Sequence, residues 1–298
     1  MANAVAPLVT PTFEGSGQGM HPGVIEFAAP WNGYKYWMSM TPYPNNNFFL
    51  EDPSILASND GLSWQVPTGA TEPVAASVRI HAFDPELFYD SASDQIWLYY
   101  MDEALDGLHL MRKTSSNGVD WTASQDLLTL PAYQMLSPAV EKTAAGYALW
   151  TVNSGTIGCS ALQTTVERRT STDGISWTPS QTVNLSQPGY QVWHLDVTFV
   201  PSKNEYWAVY AAYPQTNCGS TSLFFARSSD GTNWTTYSKP LLSPGTGWDA
   251  GQIYRSTVIY EASTGAFRLW YSARDTGHVW HTGYSEAPSS QMQRSLSQ

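Results

Sequence analysis

Four heptapeptides decide the architecture: Ser58-Asn59-Asp60-Gly61-Leu62-Ser63-Trp64, Ser115-Ser116-Asn117-Gly118-Val119-Asp120-Trp121, Ser171-Thr172-Asp173-Gly174-Ile175-Ser176-Trp177 and Ser228-Ser229-Asp230-Gly231-Thr232-Asn233-Trp234. They share the pattern Ser-x-(Asp/Asn)-Gly-x-x-Trp, and their tryptophans are 57, 56 and 57 residues apart. Self-similarity at a period of this size marks propeller blades. A further step of 57 from Gly231 reaches Pro288, beside a degenerate last copy at Tyr284-Ser285-Glu286, so five units fill the 298 residues. The Asp/Asn-Gly pair makes a tight hairpin turn, with glycine supplying the positive φ. The tryptophan that follows is expected to pack between neighbouring blades. These turns read as structural devices, not as catalytic groups.

Each unit also carries a Trp/Tyr-rich run at residues 34–38, 96–100, 147–150, 205–210 and 267–271. An apolar run precedes each, beginning at His21, Asp84, Ser137, His194 and Arg255. Aromatic and β-branched runs broken by turn residues are strands. The expected fold is therefore all-β: a five-bladed propeller of four-stranded antiparallel blades. The blades fall near 20–75, 80–132, 134–188, 191–243 and 252–286. Residues 4–13 are expected to close the ring as the outer strand of the last blade, and 287–298 to form a polar tail.

Fourteen Lys+Arg against 25 Asp+Glu give a net charge of −11. That balance argues against nucleic acid or an anionic membrane as partner, because both require a basic footprint. No run of about 18 apolar residues exists to span a bilayer. The first ten residues lack the basic and apolar regions of a signal peptide. This suggests a protein that is cytoplasmic, trimmed, or outside the cell or on a virion after lysis. The aromatic content of 13% suits sugar recognition, although most of the 13 tryptophans should be core. Cys159 and Cys218 fall in strand 2–3 connections of adjacent blades, where either a rim disulfide or two free thiols would fit.

In a four-stranded blade the inner strands begin at one face. His21, Asp84, Ser137, His194 and Arg255 should thus meet at one mouth of the channel, followed two residues on by Gly23, Glu86, Ala139, Asp196 and Thr257. Five unlike polar residues at equivalent positions are expensive as packing, because buried polar groups must be paired. Connections on the same face add Tyr43, Glu51, Asp52, Asp102, Glu103, Asn153, Tyr213, Arg274, Asp275, His278 and His281, framed by Trp37, Trp193 and Trp280. Carboxylates, arginines and aromatics in one pocket suggest a site for a poly- or oligosaccharide. No cofactor is required on this reading. No ligand spacing identifies a metal site, although a structural calcium ion in the channel near Glu86, Asp196 or His194 is compatible with the residues.

The chain resembles the five-bladed β-propeller glycosidases, the superfamily that includes glycoside hydrolase families 43 and 32. The resemblance lies in the repeat and in Asp84-Pro85-Glu86-Leu87-Phe88-Tyr89-Asp90 and Glu51-Asp52-Pro53-Ser54-Ile55. The turns are similar to sialidase Asp-boxes, which carry an extra residue between Asp and Gly. Closer still are propeller proteins of bacteria and their phages, similar at residues 41–44, 193–197, 254–257 and 270–274; that likeness implies no chemistry. Family 43 implies an Asp base on the first inner strand, a pKa-tuning Asp on the second and a Glu acid on the third. Asp84 matches the second, but His21 and Ser137 occupy the other two.

Three functions remain open. A glycoside hydrolase would use Asp84 with Glu51 or Asp196 as acid/base pair, with carboxyls about 5–5.5 Å or about 6.5–9.5 Å apart. His21, His194, Arg255, Arg274, Asp52, Tyr43, Trp193, Trp280 and His281 would bind its substrate. A non-catalytic glycan-binding module of a phage particle would explain the missing triad. A polysaccharide lyase would use His21 or His194 as base and Arg255 or Arg274 to neutralise a uronate.

Overall fold

The computed structural model describes residues 1–214 and 218–290. Blade 1 contains β1 (Gly19–Trp31), β2 (Tyr34–Pro42) and β3 (Ser54–Ser58). Blade 2 contains β4 (His81–Asp90), β5 (Gln95–Ala104), β6 (Gly107–Ser115) and β7 (Gln125–Leu130). Blade 3 follows with β8 (Leu136–Thr143), β9 (Gly146–Asn153), β10 (Thr165–Ser171) and β11 (Gln181–Val183). Blade 4 has β12 (Tyr190–Val200), β13 (Glu205–Pro214), β14 (Ser222–Ser228) and β15 (Trp234–Thr236). Blade 5 has β16 (Gln252–Glu261), β17 (Ala266–Arg274) and β18 (Trp280–Pro288). Every blade is an antiparallel meander. The inner strands β1, β4, β8, β12 and β16 neighbour one another in a ring, with β1 against β16. The five-bladed propeller expected from the repeat is the observed fold.

Two blades have three strands instead of the expected four. In blade 1 the outer strand shrinks to a bridge between Ala57 and Gln65. Pro67 follows two residues later, with no N–H to continue the ladder. In blade 5 the N-terminal segment does run beside β18, but it forms no strand. One backbone bond joins them, Leu8 N–H to Thr282 O at 2.8 Å. Pro7 and Pro11 remove donors on either side. The segment is held by Tyr271, whose hydroxyl accepts from Ala4 N–H at 2.9 Å, and by Trp248, whose indole donates to Ala4 O at 3.1 Å. Residues 291–298 of the expected tail lie outside the described residues.

The repeated turns act as clasps between blades. In the first, Asp60 Oδ1 accepts from Leu62 N–H and Ser63 N–H, both at 2.7 Å, while Gly61 N–H donates to Ser58 Oγ at 2.9 Å. The glycine then lies flat on a second-strand aromatic of the preceding blade. Gly61 meets Trp270, Gly118 meets Trp37, Gly174 meets Trp97 and Tyr99, and Gly231 meets Trp150. Trp270 and Trp150 donate to the carbonyls of Gly61 and Gly231 at 2.7 and 2.8 Å, and Tyr99 OH donates to Gly174 O at 2.9 Å. The motif tryptophan adds an edge contact in blade 4, where Trp234 lies 6.5 Å from Trp150.

A side chain at a clasp glycine should be costly. Gly231 has φ +72°, and a Cβ there would sit 2.6 Å from Trp150 Cζ2. Left-handed strain and overpacking together predict a loss of about 2 to 4 kcal/mol for Gly231→Ala. Gly247, with open space around it, is the control. Urea unfolding of both variants checks this, and equal midpoints would contradict the clasp.

Candidate functional site

All five inner strands carry one extra residue near their start. The register slips between Met20 and Gly23, Phe83 and Glu86, Leu136 and Ala139, Val192 and His194, and Ile253 and Ser256. Such bulges re-aim side chains that the pleat would otherwise alternate. Three bulge residues pay with left-handed backbone: His21 at φ 60°, Asp84 at 51° and Ser137 at 55°. None is glycine, so the strain is local and sustained by the surrounding ring.

The bulges deliver a compact polar cluster around Asp84. Its Oδ1 lies 3.4 Å from His21 Nε2, 3.3 Å from His194 Nδ1 and 3.6 Å from Arg255 Nη1. Its Oδ2 accepts from Ser137 N–H at 2.8 Å. The far ring nitrogens are engaged as well: His21 Nδ1 lies 3.1 Å from Thr41 Oγ1, and His194 Nε2 lies 2.7 Å from Tyr254 OH. Trp193 donates to the same tyrosine oxygen at 2.6 Å. Both imidazoles are thus oriented from behind. His21 Nε2, Asp84 Oδ1 and His194 Nδ1 are nevertheless buried without a hydrogen-bond partner. Among the described residues these three form the group whose donor atoms converge within 4.8 Å.

The electrostatics match. Burial drives the His21 pKa well below its ordinary value, only partly opposed by Asp84, so the ring is neutral at pH 7. Burial alone would raise the pKa of Asp84, but His194, His21 and Arg255 around it hold the carboxyl below the usual range. Two imidazoles and one carboxylate, with their free atoms aimed together, can hold a divalent transition metal. Thr41 and Tyr254 occupy the positions from which such ligands are oriented.

Beside the cluster opens a cavity of about 480 Å³. His21, Glu51, His81, Tyr43, Phe48 and Tyr254 line its side toward blades 1, 2 and 5; Phe83, Leu108, Leu136 and Tyr133 form an apolar wall. Glu51 Oε1 lies 3.7 Å from His21 Nδ1, and its Oε2 lies 3.7 Å from His81 Nε2. Burial, then the charges of Asp84, Asp52 and Glu103, push the Glu51 pKa well above the ordinary glutamate range. Burial lowers the pKa of His81 to about 4, and Glu103 stands 3.5 Å from its other nitrogen. Glu51 is therefore a carboxyl that holds its proton to higher pH than an ordinary glutamate, a shift in the direction a general acid/base needs.

The structure gathers Asp84, Glu51, His21, His194, Tyr43, Trp193, Trp280 and Arg274 around this mouth. Four expected site residues lie elsewhere. Asp52 turns toward its own connection and accepts from Ser77 N–H at 2.8 Å. His281 packs edge-on against Trp248. Arg255 is 1% exposed and lies in the channel, with Nη2 bound to Glu86 at 3.0 Å. Asp196 lines a second cavity of about 530 Å³ with Glu86 and Glu141, deeper in the channel. It accepts there from Val258 N–H at 3.3 Å. His81 was not found by sequence reasoning; its position three residues before Asp84, across the bulge, was the available signal. Cys159 and Cys218 are joined as a disulfide that links blades 3 and 4 on the cavity rim.

No family model matches the sequence. The chain is 31% identical, over 94% of its length, to the A type blood N-acetyl-α-D-galactosamine deacetylase of Flavonifractor plautii, and spans 46% of that protein. A crystal structure of an N-acetylgalactosamine deacetylase from F. plautii, in complex with blood group B trisaccharide, superposes with a TM-score of 0.90 at 29% identity. That match covers 99% of this chain and 97% of the other. The catalytic domain of the Coprinopsis cinerea GH62 α-L-arabinofuranosidase shares the fold, with a TM-score of 0.68 at 13% identity over 95% of both chains. A thermostable family-43 glycoside hydrolase does so too, with a TM-score of 0.67 at 12% identity over 90% and 88%. The protein is thus a propeller related to carbohydrate-processing enzymes. No helix is long and apolar enough to cross a membrane among the described residues.

The deeper cavity has its own consequence. Burial raises the pKa of Glu141 to about 8, against the bond it accepts from Phe199 N–H. A raised folded-state pKa means that the native state holds a proton that the unfolded chain releases from about pH 4.5. The stability this contributes is present below that pH and is lost as pH rises through about 8. Urea midpoints at pH 5 and pH 8.5 should therefore fall less in Glu141→Gln than in the parent. Parallel falls would show that Glu141 ionises normally.

Proposed function

We propose that this chain is a metal-dependent carbohydrate N-deacetylase, hydrolysing the acetamido group of an amino sugar to a free amine and acetate. The observation that carries the reading is the set of three buried, unpartnered donor atoms on His21, Asp84 and His194. The donor chemistry fits a divalent transition metal better than the calcium ion considered from sequence, since imidazole nitrogens suit the former. A bound ion would supply Lewis-acid polarisation of the amide carbonyl and lower the pKa of water. The F. plautii relative, named for removal of an acetyl group, supports the same chemistry.

The chain's own residues divide the remaining work. Glu51, at the cavity edge with its raised pKa, takes a proton from the attacking water and returns it to the departing nitrogen. Neutral His81, between Glu51 and Glu103, keeps a second cation away from that carboxyl. Phe83, Leu108 and Leu136 receive the acetyl methyl and keep bulk water out. Trp193 and Trp280 offer faces to the sugar.

The glycosidase reading is weaker on geometry. Asp84 is fully buried, and its Oδ1 faces the two imidazoles and Arg255, so it is not free to act on a glycosidic oxygen in the cavity. Asp196 lines the other cavity. The lyase reading loses Arg255 to its carboxylate partners, and the bare binding module leaves the converging donors unexplained.

Acetate release from N-acetylated glycans, assayed with and without chelator, tests the proposal. We expect activity to vanish on chelation, to return with zinc, cobalt or manganese, and to fall at least 100-fold in His194→Ala and Glu51→Gln. Removing a general acid/base costs about that much. New reducing ends in place of acetate, or chelator-insensitive acetate release, would overturn it.

A further inference from the structure

The mouth cavity is polarised. Glu51 and Glu103 lie on the blade 1 and blade 2 side, and Arg274 comes from blade 5, at the end of β17, between Gln252 and Trp280 in the sheet register. Its guanidinium differs from the others in the described chain. Arg79, Arg169, Arg227, Arg255 and Arg268 each have a carboxylate partner. Arg112 and Arg168 stack on Trp97 and Trp150, away from the cavity. Arg274 has no carboxylate partner among the described residues. Nη1 donates to His278 Nδ1 at 2.7 Å, Nη2 donates to Gly219 O at 3.3 Å, and Nε is buried without an acceptor. The adjacent Asp275 is turned onto its own loop, accepting from Val279 N–H at 2.9 Å. Asp249 is bound to Asn3 at 2.6 Å.

A guanidinium facing a cavity with only neutral acceptors is poised for an anion, and its planar fork matches a carboxylate or sulfate. Aromatic rings connect it to the converging donors. Tyr254 lies 4.5 Å from His194 and 5.2 Å from Trp280, and Arg274 lies 5.8 Å from the Trp280 ring. A sugar laid on these rings would place its acetamido group at the donors and a substituent at Arg274. We propose that Arg274 is a specificity-determining residue that binds a carboxylate or sulfate on the amino sugar or its neighbour. The substrate class is therefore an acidic N-acetylated glycan. The N-acetylated part of this statement rests on the deacetylase reading; the anion part rests on Arg274 alone.

Three probes separate these parts: unsulfated chondroitin tetrasaccharide, its carboxyl-reduced neutral form, and chondroitin 4-sulfate tetrasaccharide. The ratio of kcat/KM for acetate release, acidic over carboxyl-reduced, should exceed 10 and shrink with salt. It should drop at least 5-fold in Arg274→Met and partly recover in Arg274→Lys. A stronger preference for the sulfated probe over the unsulfated one assigns the anion to sulfate; the reverse assigns it to uronate. A parent ratio near 1 overturns the proposal, whether or not the variants fold. So does a ratio that Arg274→Met leaves unchanged. If no glycan yields acetate, the deacetylase reading fails. Calorimetric binding of the same acidic and neutral pair then decides Arg274, with equal affinities refuting it.

Discussion

One extra residue at the start of each inner strand is the constraint on which the site depends. A regular strand would alternate its side chains between the two faces of the blade. The bulge breaks that alternation once per blade at the same height, so five strands aim one polar side chain each toward a common axis. His21, Asp84 and Ser137 adopt left-handed backbone to do so. The ring supplies the compensation: Ser137 N–H binds Asp84, Leu195 N–H binds Ser137 Oγ, and His21 N–H binds Ser272 Oγ. Inner strands of different blades are thereby tied to one another through the strained residues themselves. A cluster built this way is held rigid before any ligand arrives, which is the condition for metal binding and for catalysis by preorganised groups.

Arg255 divides the channel into two chambers. Above it lie the unpartnered atoms of His21, Asp84 and His194; below it lie Glu86, Asp196 and Glu141. Its two terminal nitrogens reach one carboxylate of each chamber, Asp84 at 3.6 Å and Glu86 at 3.0 Å. This permanent cation joins His194 and His21 in keeping Asp84 ionised above. The lower carboxyls, short of cations, keep raised pKa values.

The architecture was legible in the sequence because its cause is periodic. Asp60 and its counterparts build the same turn each time, and a glycine recurs wherever an aromatic of the preceding blade lies flat. The mouth residues were legible because the repeat aligns His21, Asp84, Ser137, His194 and Arg255. Depth along the channel was not. Asp196 is two residues from His194 and on the same strand face, yet two residues of strand carry it past Arg255 into the other chamber. Pairing was not legible either, because Arg255 and Arg274 look alike until their neighbours are seen. His81 escaped because its contribution crosses the bulge, where simple alternation no longer predicts orientation. The short ends of blades 1 and 5 were overcalled because prolines at 67, 7 and 11 silence donors that the repeat implied.

The clasps also have an asymmetry. Four second-strand aromatic sites meet a turn glycine of the following blade, including the junction of blade 5 with blade 1. Trp207 of blade 4 does not, since blade 5 has no such turn; it meets Tyr260 and Phe267, and its indole N–H goes to Glu205 of its own blade. The fifth seam is closed by other means: Thr221 and Ile253 exchange hydrogen bonds, Gln252 Nε2 donates to Cys218 O, and Arg274 Nη2 donates to Gly219 O. That seam runs up to Trp193, Tyr254 and Arg274, where Trp193 and His194 of blade 4 both bond the Tyr254 hydroxyl of blade 5. The seam without a turn glycine is therefore the one that positions His194, so a substitution that loosens blade 5 against blade 4 would misalign one of the three converging atoms while leaving the other four seams intact.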